Sequence, residues 1–257
     1  MRGISGAVAV LVQALLWTQI ASAAEVKVLS VGAVQYALKV LAADYAKASG
    51  DEVVFTIGSP AIVIDKLKAG ETSDVLVMSA AAMDAFEPAG GLRADSRTKL
   101  ARTGIGVAMR DGAPVPDLAS ADAFKRAMLG ARSIAFGDPS LPNQSGAVAA
   151  AILESAGILD QLKAKIRHEG LVPGQELIAK GEIELGLFNV SEIKSAKLAG
   201  PVPAPLQRYT PYDAAVMAKA AAPERAQSFV AFIAGVAAQQ RWREAGFEAQ
   251  AGGSTGN

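Results

Sequence analysis

The chain has 257 residues, with 25 lysines and arginines against 25 aspartates and glutamates, so its formal net charge is zero. It contains no cysteine and a single histidine, His168, which excludes a disulfide scaffold, a thiolate metal site and a metal site built from several histidines. The balanced charge gives no basis for binding nucleic acid or an anionic membrane surface. We expect neither a metal nor a cofactor.

Residues 1–23 have the layout of a secretory signal peptide. A positive start is followed by an almost uncharged apolar run over residues 4–17 and by small residues just before the cleavage position. The apolar run is shorter than the roughly 20 residues that a membrane-spanning helix needs. An uncleaved N-terminal anchor is the alternative. We predict cleavage between Ala23 and Ala24, giving an exported mature chain that does not insert into the membrane.

Short apolar runs rich in β-branched residues alternate with helical patterns along the rest of the chain. The first series predicts strands at 26–29, 53–57 and 74–78 and helices at 36–49, 62–69 and 80–87. Gly50, Gly70 and Pro88 follow these three helices and are typical helix-ending residues. The order predicts a parallel sheet with right-handed crossovers, covered by helices on both faces.

A longer extended segment at 104–109 begins a second α/β series. That series predicts helices at 121–129, 146–156 and 175–180, and strands at 133–136, 165–168 and 184–188. A further extended run covers residues 213–218. Two helices, at 223–235 and 237–244, then complete the pattern.

Two α/β lobes joined by two extended crossings form the architecture of a type II periplasmic binding protein. We therefore predict an α/β fold with a first lobe of residues 24–104 plus 207–250, a second lobe of residues 105–206, and a flexible tail at 251–257. Each lobe would hold a mostly parallel sheet flanked by helices, with a ligand cleft between the lobes. A single doubly wound domain is the alternative.

Small polar loops follow the predicted strands in both lobes. Ligands of open α/β sheets bind outside the carboxyl ends of the strands, where helix N-termini present unpaired N–H groups that suit an anion. Serine and asparagine also cap ordinary helices, which explains any single loop. Taken together, however, so many small polar loops at one edge of the sheet favour a cleft that binds a small anionic ligand. The predicted ligand-binding residues there are Gly32, Ala33, Ser59, Pro60, Ser79, Asn143, Gln144, Ser145, Pro173, Gly174, Asn189 and Ser191.

Two arginines lie next to the predicted crossings. Arg102 precedes the first crossing, and Arg208 precedes the second. An arginine on the floor of the cleft would pair bidentately with a carboxylate. The alternative is that both are solvated surface residues.

Six short segments carry a family resemblance. They lie at residues 26–29, 37–38, 42–45, 69–75, 136–139 and 179–182. In their order and spacing they resemble the molybdate-binding-protein-like family of bacterial extracellular solute-binding proteins, family 11. The resemblance implies a periplasmic, monomeric receptor whose partners are a small anion and the permease of an ABC importer.

The resemblance also indicates which anion to expect. Members that bind molybdate place hydroxyl groups where this chain has Ala33, Pro60 and Asn189, although Ser59 adjoins Pro60. Each lost hydrogen bond to a buried anion costs about 1–3 kcal/mol. The chain therefore resembles the branch associated with organic anions, which includes aconitate isomerases, and we expect an organic carboxylate rather than molybdate.

Two functions of different class remain open. A receptor needs a cleft, a hinge and hydrogen-bond donors, and we favour it. An aconitate isomerase needs in addition a base that takes a proton next to a carboxylate, together with donors that stabilise the carbanion-like state. The candidate bases are Glu192, Asp138, His168 and Tyr36. Each also has an ordinary structural explanation: a helix start, a turn, a surface position and helix packing, respectively.

Overall fold

A computed structural model describes residues 24–140, 144–168 and 173–250 of the chain. The predicted signal peptide, the predicted tail at 251–257 and Asn143 lie outside the described residues. Within the described ranges, no helix is long and apolar enough to cross a membrane.

Three β-α units begin the fold. They are β1 (Glu25–Val31), α1 (Gln35–Ser49), β2 (Glu52–Gly58), α2 (Pro60–Lys68), β3 (Val75–Ser79) and α3 (Ala80–Phe86). Helix α1 stops at Gly50, whose left-handed backbone (φ 79°) costs glycine little. Ser59 and Ser79 start α2 and α3, because each side chain accepts a hydrogen bond from a backbone N–H three residues further on. The strands and helices predicted here are confirmed.

The second series starts with the long strand β4 (Thr98–Met109). It continues with α4 (Ala121–Gly130), β5 (Ile134–Phe136), α5 (Gln144–Ser155), α6 (Leu159–Leu162), β6 (Ile166–His168), α7 (Gly174–Lys180), β7 (Leu185–Asn189) and β8 (Lys197–Pro201). Strand β9 (Tyr209–Val216) then returns to the first strands. Helices α8 (Pro223–Ala234) and α9 (Ala238–Glu244) complete the fold.

The structure extends or adds elements where the sequence pattern is weak. Strand β4 begins six residues before the predicted extended segment, in a stretch where Lys99 and Arg102 interrupt the apolar alternation. Strand β8 and the short helix α6 were not predicted. Lysine, glycine and proline in β8 disfavour a strand locally, and the pairing with β4 decides its conformation instead.

The sheet confirms the predicted parallel arrangement of the first three strands and places the antiparallel strand β9 beside them. The strand order is β2-β1-β3-β9-β4-β7-β5-β6, with β8 paired to β4. Strands β1, β2 and β3 are parallel, whereas β9 runs antiparallel to β3 and β4. The first half of β4 pairs with β9, and its second half pairs with β7 and β8. One strand therefore passes through both parts of the molecule.

Two main hydrophobic cores lie on either side of that passage. The first is formed by residues from 26–101 and 212–247, including Leu38, Phe229 and Trp242. The second is formed by residues within 105–206, and a smaller cluster around Phe188 uses alternate residues of the same strands, so it covers their other face. Below, lobe 1 and lobe 2 denote the residues around the first core and the second. The predicted lobe boundaries stay a prediction.

Candidate functional site

A cavity of about 220 Å³ opens at the carboxyl ends of β1, β2, β3 and β7. It is lined by Val31, Gly32, Ala33, Ile57, Gly58, Ser59, Pro60, Ser79, Ala82, Ser145, Asn189, Glu192 and Tyr212. The first nine of these residues and Tyr212 belong to lobe 1, and the other three belong to lobe 2. The two lobes therefore meet at this cavity.

Many of the loop residues predicted from the sequence lie at this cavity. They are Gly32, Ala33, Ser59, Pro60, Ser79, Ser145 and Asn189. They come together because parallel strands end at the same edge of a sheet, and the loops that follow them share that edge. Glu192, one of the four candidate bases, lies there as well.

The serines on the lobe 1 side cap helices and also line the cavity. The Ser59 hydroxyl accepts a hydrogen bond from the backbone N–H of Ile62 at 3.3 Å, and the Ser79 hydroxyl accepts one from the N–H of Ala82 at 3.3 Å. A hydroxyl group can accept one hydrogen bond and donate another. Capping and ligand binding are therefore compatible roles for these side chains.

The lobe 2 side of the cavity is built around a carboxylate. Asn189 donates a hydrogen bond from Nδ2 to Oε2 of Glu192 at 2.6 Å. Gln175 on α7 holds the same loop from outside: its Nε2 donates to the carbonyl oxygen of Glu192 at 2.9 Å, and its Oε1 accepts from the N–H of Lys194 at 2.9 Å. Among the described lining residues, Glu192 is the one that carries a charge.

The lining divides into polar and apolar parts. Hydroxyl groups of serine and the Asn189–Glu192 pair supply the hydrogen-bonding groups, whereas Val31, Ile57 and Pro60 present apolar surface. A ligand with both a carbon skeleton and charged oxygens suits such a lining. The described residues contain no cluster of histidine, aspartate or glutamate that could hold a metal ion.

Comparison with known proteins places the chain in a family. The family model for bacterial extracellular solute-binding proteins matches residues 26–248. An aconitate isomerase from Pseudomonas sp. is 30% identical over 230 residues, which cover 86% of this chain and 86% of that protein. The chain belongs to the bacterial extracellular solute-binding protein family.

Solved structures show the same fold. The periplasmic molybdate-binding protein of Azotobacter vinelandii superposes with a TM-score of 0.73 at 22% identity, covering 88% of this chain and 99% of that one. PEB3 of Campylobacter jejuni with bound L-phospholactate superposes with a TM-score of 0.64 at 16% identity, covering 88% and 100%. This solute-binding protein therefore has the two-lobed fold of periplasmic binding proteins.

Five lining residues of this solute-binding protein were not predicted from the sequence: Val31, Ile57, Gly58 and Ala82, which lie in or next to the strand-end loops, and Tyr212, which comes from a strand. Tyr212 lies in β9, opposite Ser79 of β3 in the strand register, and it is only 2% exposed. Its ring packs edge-on against Phe247, with 6.0 Å between the ring centroids. Burial raises the pKa of the Tyr212 phenol, and the nearby charge of Glu192 raises it further. A buried aromatic in a strand looks like a core residue in sequence, and only the strand pairing brings it to the cavity.

The two arginines do not line the cavity. Arg102 donates a hydrogen bond from Nη2 to Oε2 of Glu248 at 3.0 Å, and its guanidinium carbon lies 4.0 Å from the ring centroid of Tyr209. Arg208 donates to the hydroxyl of Ser155 at 3.2 Å. Both flank the crossings, but their side chains pair with neighbours elsewhere. Neither arginine therefore supplies a cationic floor to this cavity.

Three of the four candidate bases also lie away from the cavity lining. The Asp138 carboxylate accepts hydrogen bonds from the hydroxyl and the N–H of Ser140, and these bonds lower its pKa. His168 is exposed and packs edge-on against Phe136. Tyr36 is 46% exposed, with the ammonium group of Lys194 5.0 Å from its ring centroid. Glu192 remains as the candidate that the fold brings to the cavity.

The remaining predicted loop residues occupy other positions. Ser191 is buried, and its backbone N–H donates to the hydroxyl of Thr103 at 3.4 Å. Pro173 and Gly174 start helix α7, which packs behind the loop that carries Glu192, and neither lines the cavity. Gln144 begins helix α5. Asn143 lies outside the described residues.

Proposed function

We propose that this protein is an exported receptor that binds a small organic carboxylate in the cavity between its lobes and delivers it to the permease of an ABC importer. The observation that carries the proposal is the lining of that cavity. Hydroxyl groups of Ser59, Ser79 and Ser145 can donate to carboxylate oxygens, and they lie beside apolar groups that suit a carbon skeleton. Membership in the solute-binding family supports a receptor in general.

The lining also supports a carboxylate over molybdate. Ala33 and Pro60 offer no hydroxyl group, and Glu192 repels a compact, fully ionised anion. An extended carboxylate can keep its charged ends away from Glu192 and place carbon against the apolar groups.

Titration calorimetry tests the choice of anion. We expect citrate, cis-aconitate or trans-aconitate to bind at least tenfold more tightly than molybdate or tungstate. Tight binding of molybdate would mean that backbone N–H groups suffice and that the argument from Ala33 and Pro60 is wrong. The transport role is then tested by measuring uptake of that carboxylate in cells that lack the gene for this protein. We expect these cells to lose uptake at low carboxylate concentration.

Export is a separate part of the proposal. N-terminal sequencing of protein recovered from the periplasm should start at Ala24 or within a few residues of it. A chain that keeps Met1 and sediments with membranes would contradict export as a free receptor.

A second candidate function is isomerisation of aconitate, and two observations favour it. Glu192 lies at the cavity, and a relative with 30% identity over most of the chain is an aconitate isomerase. In this reaction Glu192 would take a proton from the methylene group next to a carboxylate. The electron pair left behind forms the new C=C bond, the old C=C bond opens, and its outer carbon takes up a proton.

Proton NMR of cis-aconitate in D₂O separates the two functions. A receptor leaves the spectrum unchanged, whereas an isomerase produces trans-aconitate and incorporates deuterium. If turnover occurs, Glu192→Gln should lower it by about 10²–10⁴-fold, since the amide keeps the shape and loses the proton acceptor. Glu176→Gln, on the exposed face of α7 outside the cavity, is the matched control. Turnover that survives Glu192→Gln would assign the base to another residue.

A further inference from the structure

Tyr212 is an unusual residue for a ligand cavity because it comes from the middle of the sheet. Its strand, β9, pairs with β3 on one side and with β4 on the other, and the residue opposite it in β3 is Ser79. Directly paired residues of antiparallel strands point to the same face of a sheet. Tyr212 and Ser79 therefore approach the cavity together, from lobe 1.

The hydroxyl group of Tyr212 has no hydrogen-bond partner among the described residues, although the side chain is 98% buried. The ring is held in place by its edge-on contact with Phe247, so the hydroxyl group has a defined position. Buried tyrosine hydroxyl groups usually find a partner. An unpaired one beside a cavity points to a group that binds there.

The surroundings decide whether the hydroxyl group donates or accepts. Burial and the charge of Glu192 both disfavour the phenolate, so the phenol keeps its proton and acts as a donor. A neutral donor in a cavity suits an anionic oxygen, because hydrogen bonds to ionised acceptors are the stronger ones.

We propose that Tyr212 is a ligand-contacting residue of this site and that its hydroxyl group donates a hydrogen bond to a carboxylate oxygen of the bound ligand. This inference rests on the proposed function, in which the ligand is a carboxylate. It assigns the ligand's carboxylate to the side of Tyr212 and Ser79, away from the carboxylate of Glu192. Tyr212 also supplies from strand β9 an aromatic hydroxyl group that the loop residue Asn189 does not provide.

The first test compares affinities of wild-type protein and Tyr212→Phe. Titration calorimetry would use citrate, cis-aconitate, trans-aconitate, molybdate and sulfate. Because phenylalanine keeps the ring contact with Phe247 and removes only the hydroxyl group, we expect the dissociation constant for the carboxylate to rise about ten- to one-hundred-fold. Tyr45→Phe is the control. Tyr45 is also buried, but it packs against Phe229 and does not line the cavity, so the loss of its hydroxyl group should leave the affinity unchanged.

The outcomes of this test distinguish failure of the Tyr212 contact from failure of the proposed function. Unchanged carboxylate affinity in Tyr212→Phe would overturn the inference and leave the receptor function standing. If wild-type protein binds molybdate or sulfate and no carboxylate, the proposed function is wrong, and so is a carboxylate contact at Tyr212. Wild-type protein that binds no member of the panel overturns both.

A second measurement uses wild-type protein alone and so does not depend on how the variant folds. The chain contains four tyrosines, so protein labelled with ¹³C at the tyrosine Cζ position gives four signals. The Tyr212 signal, assigned from the spectrum of Tyr212→Phe, should shift when the carboxylate binds, while the Tyr45 signal stays in place. A Tyr212 signal that does not move at saturation would contradict the contact.

Discussion

Asp74 shows at the residue scale how one buried carboxylate joins distant parts of lobe 1. The residue is 2% exposed, and it belongs to one of the segments that resemble the solute-binding family. Its Oδ2 accepts from the N–H of Lys27 at 2.9 Å, while Oδ1 accepts from the N–H groups of Ala221 at 2.7 Å and Ala222 at 3.1 Å. It therefore ties β1 to the start of α8, and its role is structural.

Asp74→Ala should leave three backbone N–H groups without this acceptor. We expect the free energy of unfolding to fall by about 3 kcal/mol, since hydrogen bonds to charged groups contribute about 1.5–3 kcal/mol each and the losses are partly compensated by water. Urea unfolding measures the change, with the exposed Asp160→Ala as a control expected to unfold as the wild-type protein does. A loss below about 1 kcal/mol in Asp74→Ala would contradict this role.

Tyr212 gives a residue-scale prediction at high pH that is independent of any ligand. Its pKa in the folded chain is raised above the ordinary value of about 10. The folded chain thus keeps a proton that the unfolded chain releases above about pH 10, so wild-type stability falls as pH rises through that range. The contribution of the protonated Tyr212 side chain to stability is fully present below about pH 10.

The comparison with Tyr212→Phe isolates the effect. Below about pH 9 the difference in unfolding free energy between the two proteins should be constant. Above about pH 10 the wild-type protein should lose unfolding free energy relative to Tyr212→Phe, by up to about 1.4 kcal/mol per pH unit. Urea unfolding at a series of pH values measures it. A difference that stays constant up to pH 11 would show that the phenol ionises as easily in the folded chain as in the unfolded one.

At the scale of elements, helix α5 sits against the loop that follows β5 with no space for a side chain. A Cβ atom added to Gly146 would lie 2.4 Å from the carbonyl oxygen of Gly137. The neighbouring Ser145 lines the cavity, so the close approach of α5 to β5 sets the position of that hydroxyl group.

Gly146→Ala should push α5 away from the loop. We expect a loss of about 2 kcal/mol in unfolding free energy, as overpacking against backbone typically costs 1–3 kcal/mol. Ligand affinity should weaken as Ser145 moves. Gly130→Ala at the end of α4 is the matched control, because nothing lies within 4 Å of its Cβ position. Equal stability of the two variants would show that α5 can shift freely.

On the scale of the whole molecule, Gln207 ties the two crossings together. Its Oε1 accepts from the N–H of Ile105 at 2.8 Å, and its Nε2 donates to the carbonyl oxygens of Ile105 at 2.9 Å and Val202 at 3.1 Å. Gly104 makes room for this amide, since a Cβ atom there would lie 2.8 Å from it. The side chain therefore replaces a strand partner at the point where the chain passes between lobes.

Gln207→Leu should remove the acceptor of the buried Ile105 N–H and the donor to the carbonyl oxygen of Val202, whereas the carbonyl oxygen of Ile105 keeps the N–H of Val202. We expect the unfolding free energy to fall by about 2–3 kcal/mol. Ligand affinity should also fall, because the relative position of the lobes is held less firmly. Gln240→Leu, on the exposed side of α9, should change neither quantity. Wild-type stability and affinity in Gln207→Leu would show that the two crossings keep their positions without the hydrogen bonds of Gln207.

The local pattern of the sequence determined the elements that carry strong signals. Helix α1 was predicted to within one residue because Gly50 ends it, and β2 was predicted to within one residue at each end because β-branched and aromatic residues follow one another without a break. The loops at the ends of β1, β2 and β3 were predicted to share an edge, because parallel strands linked by helices leave no other arrangement. This arrangement depends only on consecutive strands and helices, so the sequence alone is sufficient to predict it.

Tertiary structure alone decided which side chains from other elements reach that edge. Tyr212 arrives through the pairing of β9 with β3, while Arg102 is drawn to Glu248 across a separate bridge. Asp138 and Glu192 both follow strands of lobe 2, yet only Glu192 lines the cavity. Nearby residues in the sequence do not specify these contacts. Each contact depends on a partner more than a hundred residues away or on how the two lobes pack together. The sequence thus determined the family, the fold and the edge at which the cavity opens, and long-range packing determined which side chains line that cavity.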